Sequence, residues 1–247
     1  MTQDAIERST FGFRPLYMQV RDVMMSRLID GIWKPGTIIP SEIDLAREMD
    51  VSQGTVRKAL DSMTAENLLV RRQGRGTFVA EMEESNILFQ FFRLESDATS
   101  GSKNFPESQV VSVSSRNANE FEMSSLKAEV GEKIWHVERR RLLDGQAVVV
   151  ESIFAKESSF PALGDTAPMP NNLYRLYSET YGKTIAKADE KLKAINANAN
   201  DAKHLNCEQG TALLLIERIG FGLNGEPLEL RLSRCLTANF HYRNTLR

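Results

Sequence analysis

The feature that most constrains how this chain can fold is a series of local signals between residues 41 and 79. Ser41 and Ser52 each precede a short amphipathic stretch, and serine is a preferred residue at the start of a helix. The segment Gln73-Gly74-Arg75-Gly76 then separates two strand-like runs, which is typical of a β-hairpin. Two short helices followed by a hairpin predict a winged helix-turn-helix, a module that places its second helix in the major groove of duplex DNA.

The helices of this module are predicted from apolar residues that recur at helical spacing. A first helix should run from about Pro15 to Asp30 and stop at Gly31, and a second should end near Met49. The third should present a polar and basic N-terminal side to solvent. Its buried face is expected to consist of Val56, Ala59, Leu60 and Met63.

Local charge supports DNA binding although the total charge does not. The formal net charge is −2, but residues 52–80 carry five basic residues against two acidic ones. DNA attraction depends on where charge lies more than on its sum. Taken singly, a capped helix or a basic turn is usually only a solvated surface element, so the prediction depends on the ordered combination. The residues expected at DNA are Ser41, Ser52, Gln53, Gly54, Thr55, Arg57, Lys58, Arg72, Gly74 and Arg75.

This region resembles the DNA-binding domain of the GntR family of bacterial transcription regulators. The resemblance is carried by Pro35-Gly36, Pro40-Ser41-Glu42, Leu45-Ala46, Val51-Ser52, Thr55-Val56-Arg57-Lys58-Ala59-Leu60, Glu66-Asn67-Leu68 and the hairpin from Arg72 to Val79. It implies that Ser41, Ser52, Thr55, Arg57 and the wing residue Gly74 lie at DNA.

Two positions depart from the family pattern. Many members have arginine where this chain has Ile43 and Gln53. Losing arginine removes a bidentate contact to guanine, whereas glutamine is suited to adenine. The operator is therefore expected to differ from the family's usual sequence, and we hold as a hypothesis that Gln53 reads adenine.

The rest of the chain is predicted to form an α+β domain with a mainly antiparallel sheet. Asp144-Gly145 and Asn224-Gly225 are strong hairpin turns, and strands are predicted on both sides of each. A further strand is predicted at 110–114, and residues 185–196 could form another. Short helices are predicted at 172–181 and 200–205, and a loose loop at 96–106.

Charged residues lie within the apolar strands of both hairpins. Arg139 and Arg141 point to one face of their strand, and Glu151 lies on the partner strand. Glu229, Arg231 and Ser233 share a face in the second hairpin. Because burial of an unpaired charge is expensive, one interpretation is a pocket for an acidic or zwitterionic molecule. Internal salt bridges within each hairpin and solvated outer-face charges are the alternatives.

This second region resembles the UTRA effector domain, which follows the GntR module in the subfamily that includes histidine-utilisation repressors. The resemblance is carried by residues 139–145, Glu151-Ser152, Leu173-Tyr174, Tyr181-Gly182 and Gly225-Glu226-Pro227-Leu228-Glu229 with Ser233. It implies a fold similar to chorismate lyase and effectors such as sugar phosphates, amino-acid derivatives or phosphonates. The pocket positions that it implies are Arg139, Arg141, Glu151, Glu229 and Tyr242. Arg231 departs from the smaller or neutral residue of many members and favours an acidic effector.

No motif in the sequence indicates a catalytic, cofactor or metal site. The glycine pattern at 220–225 ends in a hairpin turn instead of opening a helix, so it does not indicate dinucleotide binding. The three histidines lack the spacing of metal ligands. We therefore expect no cofactor and no enzyme activity. A chorismate-lyase-like enzyme fused to a DNA reader is the alternative, and an architectural DNA-binding protein without an effector is a third interpretation.

The predicted organisation is a winged helix-turn-helix at residues 1–80, a linker at 81–86 and an effector-binding and dimerisation domain at 87–247. The linker segment is polar and acidic. The two cysteines form no Cys-x-x-Cys pair, and no apolar run approaches the length of a membrane span, so the sequence favours the cytoplasm. Expected partners are double-stranded operator DNA, a small-molecule effector and a second copy of the chain, and no membrane.

Overall fold

The computed structural model describes residues 15–66, 68–80, 93–97, 106–143 and 145–244. The chain divides into two compact units, Met1–Glu81 and Met82–Arg247. The predictions for the linker at 81–86 and for most of the loop at 96–106 lie outside the described residues, as do Asn67 and Asp144.

The N-terminal unit contains three helices whose starts follow the sequence. They are α1 (Leu16–Ile29), α2 (Glu42–Glu48) and α3 (Gln53–Ala65). The hydroxyl of Ser41 accepts a hydrogen bond from the backbone amide of Asp44 at 3.2 Å, and that of Ser52 accepts one from the Thr55 amide at 3.2 Å. Each bond satisfies an amide that has no partner within its own helix. The predicted helices and both caps are confirmed.

The core of this unit lies between the three helices. The predicted apolar face of α3 is buried as expected, since all four of its residues are at most 1% exposed. Val20 and Met24 of α1 and Leu45 of α2 are also buried. Burial of apolar surface stabilises by roughly 25 cal/mol per Å², so this packing fixes the direction of α3 and leaves its polar side to solvent.

The hairpin beside α3 has the geometry expected of a wing. β1 (Leu69–Arg72) and β2 (Gly76–Val79) pair in antiparallel register. Gly74 and Gly76 have φ angles of +69° and +110°, a region that glycine adopts without steric cost. The amide of Ile39 donates to the Thr77 carbonyl at 2.9 Å, so the connection between α1 and α2 is tied to the base of the wing.

The C-terminal unit is built on one six-stranded antiparallel sheet, with strand order β4-β5-β6-β9-β8-β7. The strands are β4 (Glu107–Asn117), β5 (Lys133–Leu143), β6 (Gln146–Lys156), β7 (Ile185–Asn196), β8 (Ala212–Gly222) and β9 (Pro227–Leu236). Both predicted hairpins are confirmed, as β5–β6 and β8–β9. Their inner strands pair with each other, so that Glu151 lies opposite Ser233 at the centre of the sheet.

Helices cover both faces of this sheet. They are α4 (Glu120–Leu126), α5 (Leu173–Tyr181) and α6 (Ala199–Leu205). α5 packs against Val137 and Ile153, whereas Leu126 of α4 packs against Ile134 and Phe154. Because alternate residues of a strand point to opposite faces, α4 and α5 lie on opposite sides.

The unpredicted elements of the C-terminal unit include one short helix and a two-stranded ribbon. α4 has only seven residues, and its start is marked by a capping box between Asn119 and Glu122. A separate two-stranded ribbon joins β3 (Leu94–Ser96) to β10 (Phe240–Tyr242). The predicted loop therefore begins one residue too early, because Ser96 closes β3 by pairing with Phe240.

Candidate nucleic-acid interface and small-molecule cleft

The N-terminal side of α3 is the exposed polar surface that the sequence predicts. Ser52, Gln53, Gly54, Arg57 and Lys58 are all exposed, and the opposite side of the helix is buried. The remaining predicted contacts lie on α2 and the wing. Ser41, Gly74 and Arg75 are exposed, and Thr55 and Arg72 are half-buried.

Glu42, the first residue of α2, connects this surface to the wing. Its carboxylate accepts hydrogen bonds from Nε and Nη2 of Arg57 at 3.0 and 2.9 Å. It also accepts from Nε2 of Gln53 and from Nη2 of Arg71, both at 3.3 Å. The hydrogen bonds from Arg57 are the main reason that the pKa of Glu42 lies below its usual range. Three side chains of the candidate interface thus converge on one carboxylate.

The other basic residues of this surface are arranged differently. Nζ of Lys58 lies 4.4 Å from the centre of the Tyr17 ring, and the guanidinium of Arg72 lies 4.7 Å from that of Phe78. Such cation–π contacts hold the charged end of each side chain beside an aromatic ring. Arg75 lies at the tip of the wing, next to Gly74. The arrangement can present cations to phosphates from both the helix and the hairpin.

The C-terminal unit contains a small cleft that is partly open to solvent, with a cavity volume of about 30 Å³. Its polar lining comes from the central strands and from the segment before α5. These residues include Arg139, Arg141, Glu151, Asn171, Arg231 and Ser233.

Glu151 is the centre of the charged group in the cleft. One of its oxygens accepts from Nε of Arg139 at 2.5 Å and from Nε of Arg141 at 3.1 Å, and the other lies 3.4 Å from Nη1 of Arg231. Burial alone would raise the pKa of Glu151, but the three guanidiniums outweigh it and hold the pKa well below its usual range. The carboxyl group is therefore ionised at neutral pH.

Glu229 forms a second buried carboxylate on the neighbouring strand. It accepts from the hydroxyl groups of Tyr174 and Tyr177 at 3.0 and 2.9 Å. Nε and Nη2 of Arg231 also donate to it, both at 2.9 Å. Burial, together with the negative charge of Glu229, raises the pKa of Tyr174 to about 12. The internal salt bridges that the sequence left as an alternative to a pocket are therefore present.

Arg139 is not fully satisfied by these carboxylates. Arg139 is 0% exposed, and its Nη2 atom has no hydrogen-bond partner among the described residues. Burial and the nearby charge of Arg139 lower the pKa of Arg141 to about 9, despite the opposing effect of Glu151. Arg139, Arg141 and Arg231 together exceed Glu151 and Glu229 by one positive charge. An anion in the cleft would offset this excess and supply the missing acceptor.

Comparison with known families identifies both units. The family model for bacterial regulatory proteins of the gntR family matches residues 16–79. The model for the UTRA domain matches residues 102–241, more than half of the chain. The chain belongs to the GntR family, in the group that carries a UTRA domain.

Relatives of this GntR/UTRA regulator include curated repressors. It is 26% identical over 220 residues to a protein named "Probable fructoselysine utilization operon transcriptional repressor" from Shigella flexneri, covering 89% of this chain and 90% of that one. It is 27% identical over 207 residues to the histidine utilization repressor of Pseudomonas putida, covering 84% of this chain and 82% of that one.

Solved structures support the same fold for the UTRA part of the regulator. The ligand-binding domain of a GntR-family transcriptional regulator from Bordetella bronchiseptica aligns with a TM-score of 0.59 and 28% identity. The alignment covers 63% of this chain and 96% of that one. The α+β architecture with a winged helix-turn-helix and an antiparallel sheet is confirmed.

The structure brings together most, but not all, of the predicted effector residues. Arg139, Arg141, Glu151, Arg231 and Ser233 line the cleft, and Glu229 lies directly behind Arg231. Tyr242 is not brought to the cleft lining. It lies on β10, where its hydroxyl donates to Glu190 of β7, because the ribbon with β3 fixes its position.

Residues of these sites that the sequence interpretation missed include Glu42, Arg218 and Asn171. Glu42 was interpreted only as part of the family motif. Its position directly after the Ser41 cap places it at the start of α2, where it can contact α3. Arg218 also lines the cleft. The signal that could have found it is Glu217-Arg218 on the outer strand of the second hairpin, which repeats Glu138-Arg139 on the outer strand of the first. Asn171 precedes α5 and gave no such signal.

Other kinds of site are not found within the described residues. Among them, no group of three or more His, Cys, Asp or Glu side chains could hold a metal ion. In the part of the chain that the structure describes, no helix is long and apolar enough to span a membrane.

Proposed function

We propose that this chain is a bacterial transcriptional repressor whose affinity for operator DNA is controlled by a small anionic metabolite bound in the cleft of its UTRA domain. The observation that carries the proposal is the unpartnered Nη2 of Arg139, a fully buried guanidinium on the wall of that cleft. Relatives named as repressors support the repressor role. The direction of control that we propose is release of DNA when the metabolite binds.

The proposed DNA contacts come from α2, α3 and the wing. Arg57, Lys58, Arg72 and Arg75 would contact phosphates or the grooves. The exposed caps and glycines would allow the backbone to approach DNA closely. They comprise Ser41, Ser52, Gly54 and Gly74, with Thr55 beside them.

The operator preference is proposed to depend on Gln53 and Ile43. Both are exposed, Ile43 by 57%, and they lie in the first turns of α3 and α2, respectively. Glutamine can make a bidentate contact with adenine, and an apolar side chain can contact the methyl group of thymine. In a selection from randomised duplexes, Gln53→Ala should lose the adenine preference at one position per half-site. If the selected sequence is unchanged, Gln53 does not read a base.

The effector site is tested most directly by ligand-induced stabilisation. A panel of sugar phosphates, amino acids and phosphonates should contain compounds that raise the melting temperature, since a ligand of the native state stabilises it. Ser233→Ala, which removes one hydroxyl from the cleft wall, should weaken that shift, whereas Arg175→Gln on the exposed side of α5 should not. Operator binding without any thermal shift across the panel would favour the architectural alternative.

The cleft is proposed to sense its ligand without converting it. A general acid or base needs a proton that it can exchange near neutral pH. Glu151 and Glu229 are each held by several donors, and the pKa of Glu151 is far below neutral. Mass spectrometry of a bound compound after long incubation should recover it unchanged. A new product would favour the lyase-like enzyme.

The working form is proposed to be a homodimer in the cytoplasm, where the operator is found. Residues 1–80 would read DNA, residues 87–247 would bind the effector and dimerise, and residues 81–86 would link them. A single winged helix offers a small reading surface, and a two-fold dimer doubles it across two half-sites. Light scattering should give a mass of two chains without operator, and of two chains plus one duplex with it. A monomer in both conditions would exclude the dimer.

A further inference from the structure

We propose that Glu42 is a positioning residue that sets the operator selectivity of the DNA-reading surface. The proposal rests on the proposed function, because it assumes that Gln53 and Arg57 face DNA. The structure shows one carboxylate holding three side chains from α3 and the wing, with Arg71 as the third. We infer two separate effects of this carboxylate.

The first effect is on the amide of Gln53. A carboxylate can only accept hydrogen bonds, so the amide nitrogen of Gln53 must face Glu42 and does so at 3.3 Å. The amide oxygen is then the group that Glu42 cannot engage. An outward amide oxygen accepts from the exocyclic amino groups of adenine or cytosine and is repelled by the acceptors of guanine and thymine. Glu42 thereby chooses which half of the amide meets a base.

The second effect is on the arginines. Arg57 lies 57% exposed at the surface, yet both Nε and Nη2 are engaged by Glu42. Arg71 is shared between Glu42 and Asp61, at 3.3 and 2.6 Å. The two acids and two arginines of this group cancel in charge. Arginines that are neutralised in place add little to sequence-independent attraction, which depends on the number of phosphates that are neutralised. Glu42 thus suppresses binding to DNA of any sequence.

Both effects predict the same unusual result for Glu42→Gln. Loss of the charge should release Arg57 and Arg71, so affinity for unrelated duplex should rise about tenfold and its salt dependence should steepen. Because glutamine can both donate and accept, the Gln53 amide is no longer fixed. The ratio of specific to unrelated binding should fall about tenfold, which corresponds to one lost base contact.

The matched control is Glu48→Gln. Glu48 lies on the same helix and has the same charge, but it pairs with Arg27 of α1 at 2.5 and 3.0 Å. Removing it changes the net charge of the unit by the same amount without touching the reading surface. If Glu42 acted only through total charge, both variants should tighten unrelated binding equally.

The experiment uses the full chain and two duplexes, one selected by the wild-type protein from a randomised library and a shuffled version of it. Affinity is measured by fluorescence anisotropy between about 50 and 200 mM salt. The proposal expects tighter binding of the shuffled duplex and reduced selectivity for Glu42→Gln alone. A repeated selection should lose its preference only at the position that Gln53→Ala also affects.

Three outcomes would overturn the proposal. They are unchanged selectivity in Glu42→Gln, an equal response of Glu48→Gln, and weaker binding of both duplexes with a lower melting temperature, which would mark a structural role. The double variant Glu42→Gln with Arg57→Ala tests whether Glu42 acts through Arg57. If it does, Glu42→Gln should increase affinity for the shuffled duplex less in the Arg57→Ala background than in the wild-type background. Failure of the proposed function looks different, since the wild-type protein would then select no duplex at all.

Discussion

In both units of this regulator, arginine side chains form ion pairs with a glutamate. The pairs differ in solvent exposure, because one group lies at the surface and the other is buried. In the N-terminal unit, the side chains of Glu42 and Arg57 are 22% and 57% exposed. In the UTRA unit, those of Glu151 and Arg139 are 3% and 0% exposed. The exposed pair costs little to form or to break, because water solvates either side chain when they separate. The buried pair cannot be separated cheaply, because a charge left alone in the interior is strongly destabilising.

This difference suits the two kinds of ligand. A phosphate backbone meets an open surface, and arginine can exchange Glu42 for a phosphate within solvent. Under the proposed function, a metabolite in the cleft would instead add its charge to a group that remains intact. The excess positive charge and the unpartnered Arg139 Nη2 leave room for that addition without removal of Glu151. At the DNA surface, we therefore expect a phosphate to replace Glu42 as the partner of an arginine. In the cleft, we expect the ligand to bind while Glu151 keeps its arginine partners.

The largest effect on stability is expected when the buried carboxylate of Glu151 is removed. Glu151→Ala should destabilise the UTRA unit by about 3–5 kcal/mol, since three arginines lose their shared counter-charge. Denaturation by urea, followed by circular dichroism, measures the change. Glu179→Gln, in an exposed pair with Arg175 on α5, should stay within about 1 kcal/mol of wild type. Equal losses in the two variants would mean that burial does not distinguish them.

Acid provides a second way to weaken the buried group. The pKa of Glu151 is lower in the folded state than in the unfolded state, so its stabilisation is present above its unfolded value. That stabilisation is lost as the pH falls towards the folded pKa, at up to about 1.4 kcal/mol per pH unit for one proton. Urea midpoints between about pH 7 and pH 3 should fall less steeply in Glu151→Gln than in wild type. Parallel curves would show that other carboxyl groups dominate.

Adding one methyl group at Gly54 tests whether the backbone of α3 approaches DNA at this position. A Cβ on Gly54 would lie 3.8 Å from the Ser52 hydroxyl, an ordinary contact. Gly54→Ala should therefore stabilise α3 by about 0.5–1 kcal/mol, as expected for a helical glycine. Operator affinity should fall at the same time if the backbone approaches DNA here. Increased stability with unchanged affinity would remove Gly54 from the interface.

The smallest effect is expected for Asp61, the second acid on Arg71. Its side chain is 54% exposed and lies 2.6 Å from the guanidinium. Asp61→Asn should change the free energy of unfolding by less than about 0.5 kcal/mol, because exposed ion pairs contribute little. A loss comparable with that of Glu151→Ala would contradict the distinction between exposed and buried groups.

Sequence reasoning predicted what depends on neighbours along the chain. The caps at Ser41 and Ser52, the glycine-rich wing and the two hairpins are encoded within a few residues, and all of them are confirmed. Alternation along β5 also predicted correctly that Arg139 and Arg141 share a face, on which both contact Glu151. Such patterns fix which face a side chain occupies without knowledge of the rest of the fold.

What could not be predicted depends on contacts between distant segments. Glu42 reaches Arg71, which lies 29 residues further along, because α2 and the wing meet only in the folded unit. Tyr242 bonds with Glu190 because β10 pairs with β3 instead of joining the main sheet. No local pattern shows which strands become neighbours. The family resemblance therefore implied a pocket position for Tyr242 that the pairing of β10 with β3 does not produce.

The pairing of β6 with β9 has a consequence for protein synthesis. Arg231 and Glu151 are 80 residues apart in the chain, yet they lie on adjacent central strands. During translation the first hairpin leaves the ribosome with its arginines long before β9 has been made, and contacts of such long separation form slowly. A nascent chain that stalls before β9 can thus contain the finished DNA reader without a finished sensor. Under the proposed function, the regulator becomes responsive to its metabolite only after β9 has been made.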